Sequence, residues 1–471
     1  MKTARSLVAL ATCLWWFAQF NALSQAAEPP PQSPAVSPER FRELEKAVQA
    51  IQQENQRLRQ ENGQLRNRIE DLEHQRASVQ PPAAVSTNTA SAESKPNFVL
   101  PLGKEAHLRL GGYVQFNGEF GDAGSMFGVF PDSTTVTPIH ERIFLRRARV
   151  NVSGDFLENF DFKVEGDFQN GDGISGNRTG FSISDTFLNW NRFPEANIKL
   201  GQYKAPFGVE QTTPDTAILT IERSQPTGAL TPERQIGLQL WGRPLVNLWS
   251  EQKDLLEYAL GVFDGNNRNI TINDDAHFMY VGRVASTPFA GKLFDQDVKW
   301  KIGADGFYSR YGPGTRISQT GNLKFNADGA LSAFTVPAAA GSAAKSTGWA
   351  VNQSLTVGPV DLLAEYLEEK VEPLDATPFA AFTANGYYVL GAYYFPGRKF
   401  QLVGEYERFN PGQANNDTVE SVIGGLNYYI KGDYLKLMLN YIHTWSQFRH
   451  ANPGTGDDQF DEVLLRAQVM F

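Results

Sequence analysis

Cysteine is almost missing from this chain: the 471 residues hold one, Cys13. It lies in a segment that reads as a leader, so the remaining chain has no thiol, which excludes disulfide staples, thiol redox chemistry and cysteine-ligated metals. Positive charge is not in excess either. A formal net charge of −9 argues against a nucleic-acid partner. Mean hydropathy is −0.36 and hydrophobic content 41%, values that exclude a bundle of transmembrane helices, each of which would need about 20 consecutive apolar residues. They do not exclude a membrane barrel, whose strands alternate apolar and polar residues and so average to a soluble-looking hydropathy. The six histidines, at 74, 107, 140, 277, 443 and 450, are scattered without metal-ligand spacing. There is no G-x-S-x-G, no Walker loop and no H-E-x-x-H. Asn170-Gly-Asp-Gly-Ile-Ser-Gly lacks the spaced acids and terminal Glu of a calcium loop and reads as a plain turn. No enzyme chemistry, metal or cofactor is expected.

Residues 1–26 have the form of a secretory signal: Lys2 and Arg5, an apolar run from Leu7 to Phe20, then Ser24-Gln25-Ala26 as a small-residue cleavage site. Removing it lowers the net charge to about −11. After Pro29-Pro30-Pro31, a heptad runs through 41–72 inside a segment bounded at 38–76. Phe41, Val48, Asn55, Asn62 and Ile69 occupy one seam position and Leu44, Ile51, Leu58, Leu65 and Leu72 the other. This predicts an α-helical coiled coil. A seam of two positions in seven is narrower than the stripe of a helix lying on a protein surface. Asn55 and Asn62 in the seam would fix register and strand number, leaving dimer or trimer open. Residues 77–97, rich in Pro, Ala, Ser and Thr, have no periodicity and read as a flexible linker.

Residues 98–471 form the fourth region, a series of segments near ten residues long with period-two alternation. Phe160, Phe162, Val164 and Phe168 oppose Asp161, Lys163, Glu165 and Asp167; Leu435, Leu437, Leu439 and Tyr441 oppose Lys436 and Asn440. The last segment sets Val463, Leu465, Ala467 and Val469 against Glu462, Arg466 and Gln468. Short turns at 157–159, 194–196, 357–359, 396–398 and 431–433 alternate with long polar loops at 121–141, 169–180, 312–346, 369–386, 410–417 and 447–458. Short turns at one rim and long loops at the other build an outer-membrane barrel, and counting hairpins gives about 16 antiparallel strands. Phe156, Trp190, Phe193, Tyr393, Tyr394, Phe395, Phe400, Tyr428, Tyr429 and Tyr434, beside the short turns, are the expected interfacial girdle. A sandwich would need a second sheet over each apolar face, and no propeller blade repeats. The predicted fold is therefore all-β, a 16-stranded antiparallel transmembrane β-barrel preceded by the coiled coil, with outer-membrane lipid around the barrel and the coiled coil in the periplasm.

One connection stands apart. The strand bearing Ile198 and Leu200 on one face and Lys199 and Gly201 on the other breaks at Ala205-Pro206-Phe207-Gly208, and the chain wanders for some twenty residues before the next strand. A connection that long inside a β-rich chain carries function or is disordered. Phe207, Ile218, Leu219 and Ile221 supply apolar anchors, so it is expected to pack against the inner wall.

Arg146-Arg147-Ala148-Arg149, Asp155-Phe156 to Lys163, Gly201-Gln-Tyr-Lys204-Ala-Pro-Phe-Gly208, Glu222-Arg223-Ser224, Arg234 to Gly237 and the terminal Leu465-Arg466-Ala467-Gln468-Val469-Met470-Phe471 resemble the phosphate-selective porin O and P family. The resemblance covers 108–471, and K-x-P-F-G is its most specific part. It implies a trimeric 16-stranded porin whose third loop folds inward as the constriction, passing small hydrophilic solutes and ions, with anions such as phosphate expected. Carried over by motif, Lys204 would sit at the constriction with Arg147, Arg149 and Arg234 on the nearby wall; Arg223 and Lys163 complete the expected anion path. Alternation turns Arg147 and Arg149 to the lumen and leaves Arg146 on the lipid side. From Lys204 to Arg234 the bases are matched by Glu210, Asp215, Glu222 and Glu233, so the lining is mixed. A different role, a structural protein tethering the membrane toward the cell wall through the coiled coil, stays open beside the channel.

Overall fold

In the computed structural model, the structure describes residues 98–101, 106–132, 139–169, 180–248, 252–273, 275–315, 317 and 334–471, together with Arg57. The expected signal, coiled coil and linker at 1–97 lie outside the described residues apart from Arg57 and the first contact strand is β1, Phe98–Pro101. β1 pairs antiparallel with the start of β2, Ala106–Gly121. From β2 onward sixteen strands follow one another, each antiparallel to its predecessor: β3 Arg142–Phe156, β4 Phe160–Asp167, β5 Ser182–Phe193, β6 Ala196–Lys204, β7 Arg234–Gly242 and β8 Glu257–Phe263. Next come β9 Met279–Leu293, β10 Gln296–Tyr311, β11 Ala343–Val357, β12 Val360–Leu374, β13 Phe382–Tyr394, β14 Phe400–Asn410, β15 Val419–Lys431, β16 Leu435–Ser446 and β17 Gln459–Met470. β17 pairs with β2, with Leu465 opposite Gly118 and Val469 opposite Val114, so the sixteen strands from β2 to β17 close on themselves.

Alternation decides which residues face in. On β4 Val164 is 49% exposed and its neighbour Glu165 is 3% exposed; on β16 Tyr441 is outward and Lys436 fully buried. The outward rows are apolar, as a hydrocarbon environment demands, and the inward rows polar. Two aromatic assignments are corrected by the same rule. Tyr428 stacks outward on Phe400, with ring centroids 4.7 Å apart, so Tyr429 must turn in, where its hydroxyl donates to Gln401 at 2.7 Å. Tyr394, beside outward Tyr393, also lies inward against Tyr429 at 5.8 Å.

Other departures concern loop lengths. β11 and β12 pair as far as Ala343 and Leu374, so their strands extend well into the stretches expected as loops at 312–346 and 369–386. The expected list of long connections omits the one between β8 and β9, 264–278. On the short-turn rim one connection, 243–256 between β7 and β8, is longer than the rest.

A bulge in β3 corrects a third expectation. Gln115 of β2 is opposite Arg147 while Phe116 is opposite Leu145, so Arg146 is an extra residue without a partner in the ladder. An inserted residue resets the side-chain phase. Arg146 and Arg147 consequently both face the interior, 7% and 4% exposed, and the lipid-side position expected for Arg146 does not occur.

Candidate functional site

The connection between β6 and β7 is folded inside the barrel. Its course begins with chemistry local to the sequence: Pro206 cannot continue the ladder as a donor, and Gly208 takes φ +77, a conformation that a side chain would strain. A Cβ there would also lie 3.0 Å from the Thr231 methyl. Two short helices follow, Val209–Thr212 and Gln225–Leu230. Helix N-termini leave backbone donors without acceptors, and here barrel carboxylates supply them. Gly208 N donates to Asp305 at 3.0 Å, Val209 N to Glu365 at 2.7 Å, and Gln225 N to Glu407 at 2.6 Å. Ser224 caps the second helix through its side chain, and its own N and Oγ donate to Glu210 at 3.2 and 2.8 Å.

Apolar packing holds the same segment. Phe207 is fully buried and meets Phe307 edge-on with centroids 5.1 Å apart, in a cluster with Tyr203, Leu230, Phe263 and Leu367. Complete burial of such a ring is worth about 2–3 kcal/mol. Ile221 packs with Met126, Met438 and Leu464 on the far wall, and Leu219 against Tyr388 and Val403. Further ties come from Asn440, which accepts from Ile221 N at 2.7 Å, and Lys436, which donates to the Thr216 carbonyl at 2.7 Å.

The charged residues converge on three carboxylates. Asp215 receives Arg149 and Arg223 at 2.6 Å each, with Arg147 and Lys204 at 3.7 Å. Lys204 also donates to the Thr213 carbonyl at 3.0 Å. Glu222 is gripped by Nε and Nη2 of Arg146, at 2.8 and 3.0 Å, by Arg466, and by Arg147 at 3.6 Å. Asp185 takes Arg234 at 2.7 Å and Lys163 at 3.3 Å, and Lys163 reaches Glu165 at 2.7 Å. The six bases expected on the solute path thus lie on one side of the interior: Arg147, Arg149, Lys204 and Arg223 around Asp215, and Lys163 and Arg234 around Asp185. Every one of them is ion-paired, and none stands as an isolated wall charge.

Arg146 and Arg466 are the members that reading by alternation and motif left out of the site. Arg466 could have been added from its inward phase on β17. Arg146 could not, because its orientation depends on the bulge. Burial alone would raise the Asp215 carboxyl, but Lys204, Arg223, Arg147 and Arg149 outweigh it and hold it well below the usual carboxylate range. Burial is likewise overcome at Glu222, first by Arg146, then by Arg466 and Arg147, and its carboxyl is held low. The opposite wall differs. Glu365, Glu369, Glu405 and Glu407 point inward from β12 and β14 and, among the described residues, have hydrogen-bond donors or nothing in place of bases. No group of three or more His, Cys, Asp and Glu is arranged to hold a metal among the described residues.

The family model for phosphate-selective porin O and P matches residues 135–471. Porin O of Pseudomonas aeruginosa is 22% identical over 413 residues, covering 78% of this chain and 89% of that protein. Two solved structures share the fold. The outer membrane channel DcaP of Acinetobacter baumannii has 14% identity and a TM-score of 0.50 over 78% of this chain and 98% of its own. An anion-selective porin from Comamonas acidovorans has 12% identity and a TM-score of 0.50 over 78% of this chain and 100% of its own. With a closed barrel of sixteen strands, apolar outside and polar inside, and a family match across nearly all of it, the chain belongs to the phosphate-selective porin O and P family, outer-membrane channels and not enzymes.

Proposed function

We propose that this barrel is a water-filled channel for passive diffusion of small hydrophilic solutes and ions, with anions such as phosphate favoured, and that the connection between β6 and β7 is its constriction. The observation that carries the reading is that this connection is buried inside the barrel and fastened to opposite walls, by Asp215 and Glu222 on one side and by Glu365 and Glu407 on the other. The named relatives support anions: one family description is phosphate-selective and one fold neighbour is an anion-selective porin. Physically, an entering anion competes with Asp215 and Asp185 for the same guanidinium and ammonium groups. Pairing reduces the field such bases present, so the preference is weak to moderate. In planar bilayers with a salt gradient, Lys204→Glu is expected to move the reversal potential toward cations. A variant that selects like the parent would remove Lys204 from the solute path.

A homotrimer is the assembly that goes with this reading, and the heptad at 41–72 supplies a second means of association. At 1.5 Å per residue that helix would reach roughly 50 Å, enough to contact the cell wall and add a tethering role to the channel. Charged replacements at Ile51, Leu58 and Leu65 are expected to lower the temperature at which the oligomer dissociates on a gel while the barrel stays folded. A peptide of 41–72 that sediments as a monomer at high concentration would rule the association out.

A further inference from the structure

Opposite the basic cluster, the inner face of β14 presents a different problem. Glu405 is 3% exposed, and neither of its carboxylate oxygens accepts a hydrogen bond. Its partners in the ladder are Leu390 on β13 and Ile423 on β15, both buried and apolar. Glu407, two residues on and therefore on the same face, gives one oxygen to Gln225 N and leaves Oε1 without a donor. Above them, Gln225 is 4% exposed. Its amide nitrogen donates to Ser421 Oγ at 3.3 Å, and its amide oxygen has no partner. Glu210, the remaining carboxylate in this quarter of the barrel, is already engaged by Ser224. Among the described residues no lysine or arginine approaches Glu405 or Glu407.

We infer that Glu405, Glu407 and Gln225 form a binding site for a divalent cation, calcium by preference, between β14 and the inward connection. Four oxygen acceptors without donors, on two facing elements, are a donor set without nitrogen or sulfur, which suits a hard cation. Two carboxylates without a base match one divalent charge, and a buried carboxyl without any counter-charge otherwise keeps a proton, which the cation would displace. Calcium tolerates an irregular oxygen shell and few waters, whereas magnesium keeps most of its hydration and would fit an enclosed site poorly. The amide of Gln225 makes this a site on the loop as well as on the wall, so the bound ion would fasten the second helix to β14. The inference does not depend on which solute passes through the channel.

The test uses the full-length protein folded in detergent, stripped with EDTA and titrated with calcium chloride in a calorimeter. One saturable site per chain is expected. Glu405→Gln should weaken it by about tenfold or more. Because the Glu405 side chain makes no hydrogen bond, this variant is not expected to disturb folding. In EDTA it should unfold close to the parent, because a buried carboxyl with no base beside it is protonated there and the amide replaces a neutral acid, and it should gain less from added calcium. Gln225→Ala, which keeps the backbone bond to Glu407, should weaken binding by a smaller factor. Absence of a saturable site, or binding that Glu405→Gln leaves unchanged, would overturn the proposal, whether water or a proton then satisfies Glu405 or calcium binds elsewhere.

Discussion

Deleting residues 211–219 is expected to raise single-channel conductance, on the order of twofold or more, because conductance follows the open cross-section and this stretch lies buried inside the barrel, where we propose the constriction. The deletion removes Asp215 and the Thr216 carbonyl that accepts from Lys436 and, at 3.1 Å, from Gln468. It has a second consequence with its own sign. Arg149 and Arg223 each lose a carboxylate that now lies 2.6 Å away. Arg149 keeps Asp167 at 2.8 Å, but Arg223 loses its carboxylate and one fixed negative charge leaves the site, so anion selectivity should increase together with conductance. Bilayer recordings at two salt concentrations measure both. Unchanged conductance would mean that the connection is not the constriction, and increased conductance with a shift toward cations would mean that the paired bases contribute nothing to selectivity.

The largest expected loss of stability follows from Glu222→Ala. Three buried guanidinium groups, on Arg146, Arg147 and Arg466, share this one carboxylate. Removing one partner of a buried pair leaves uncompensated charge and costs about 3–5 kcal/mol. A lowered denaturant midpoint of the folded barrel in detergent is the measurement, and Glu222→Gln, which keeps an acceptor, should recover part of the loss. The pH dependence has a definite sign. The Glu222 and Asp215 carboxyls are held below their unfolded values, so their stabilisation is fully present above about pH 5 and is lost progressively as the pH falls from there through the lower folded-state values. Glu222→Ala should therefore be less stable than the parent at pH 5 and at pH 7 alike, and the difference should narrow as the pH falls further. A variant as stable as the parent at neutral pH would show that the cluster is not a fastening.

Strand existence and the direction of each face were legible because a membrane barrel writes both into a period of two, as Val164 beside Glu165 and Tyr441 beside Asn440 illustrate. The inward connection was marked by its length, by Pro206 and Gly208, and by apolar residues with no reason to face water. What holds it was not legible. Val209 and Gln225 bond to carboxylates more than 150 residues away in sequence, on strands whose inward rows carry many acids. Nothing in the sequence says which acid meets which donor. The bulge at Arg146 fails to show for another reason: one inserted residue leaves composition unchanged and alters only the phase beyond it. Tyr394 and Tyr429 were assigned by nearness to a turn, when their neighbours Tyr393 and Tyr428 already fixed the opposite phase.

Glu222 also links the two ends of the barrel in the order of its making. Arg146 belongs to β3, near the first strand of the wall, and Arg466 to β17, the last. The seam where β17 meets β2 lies between them. In chain order Glu222 follows Arg146 and Arg147 and precedes Arg466, so two of its three guanidinium partners lie before it and the third belongs to the strand that closes the barrel. Only when the terminal strand closes the cylinder does the carboxylate acquire all three guanidinium groups. Zipping the seam and seating the internal loop are therefore coupled events, and a barrel that has not yet joined its ends cannot have finished its pore.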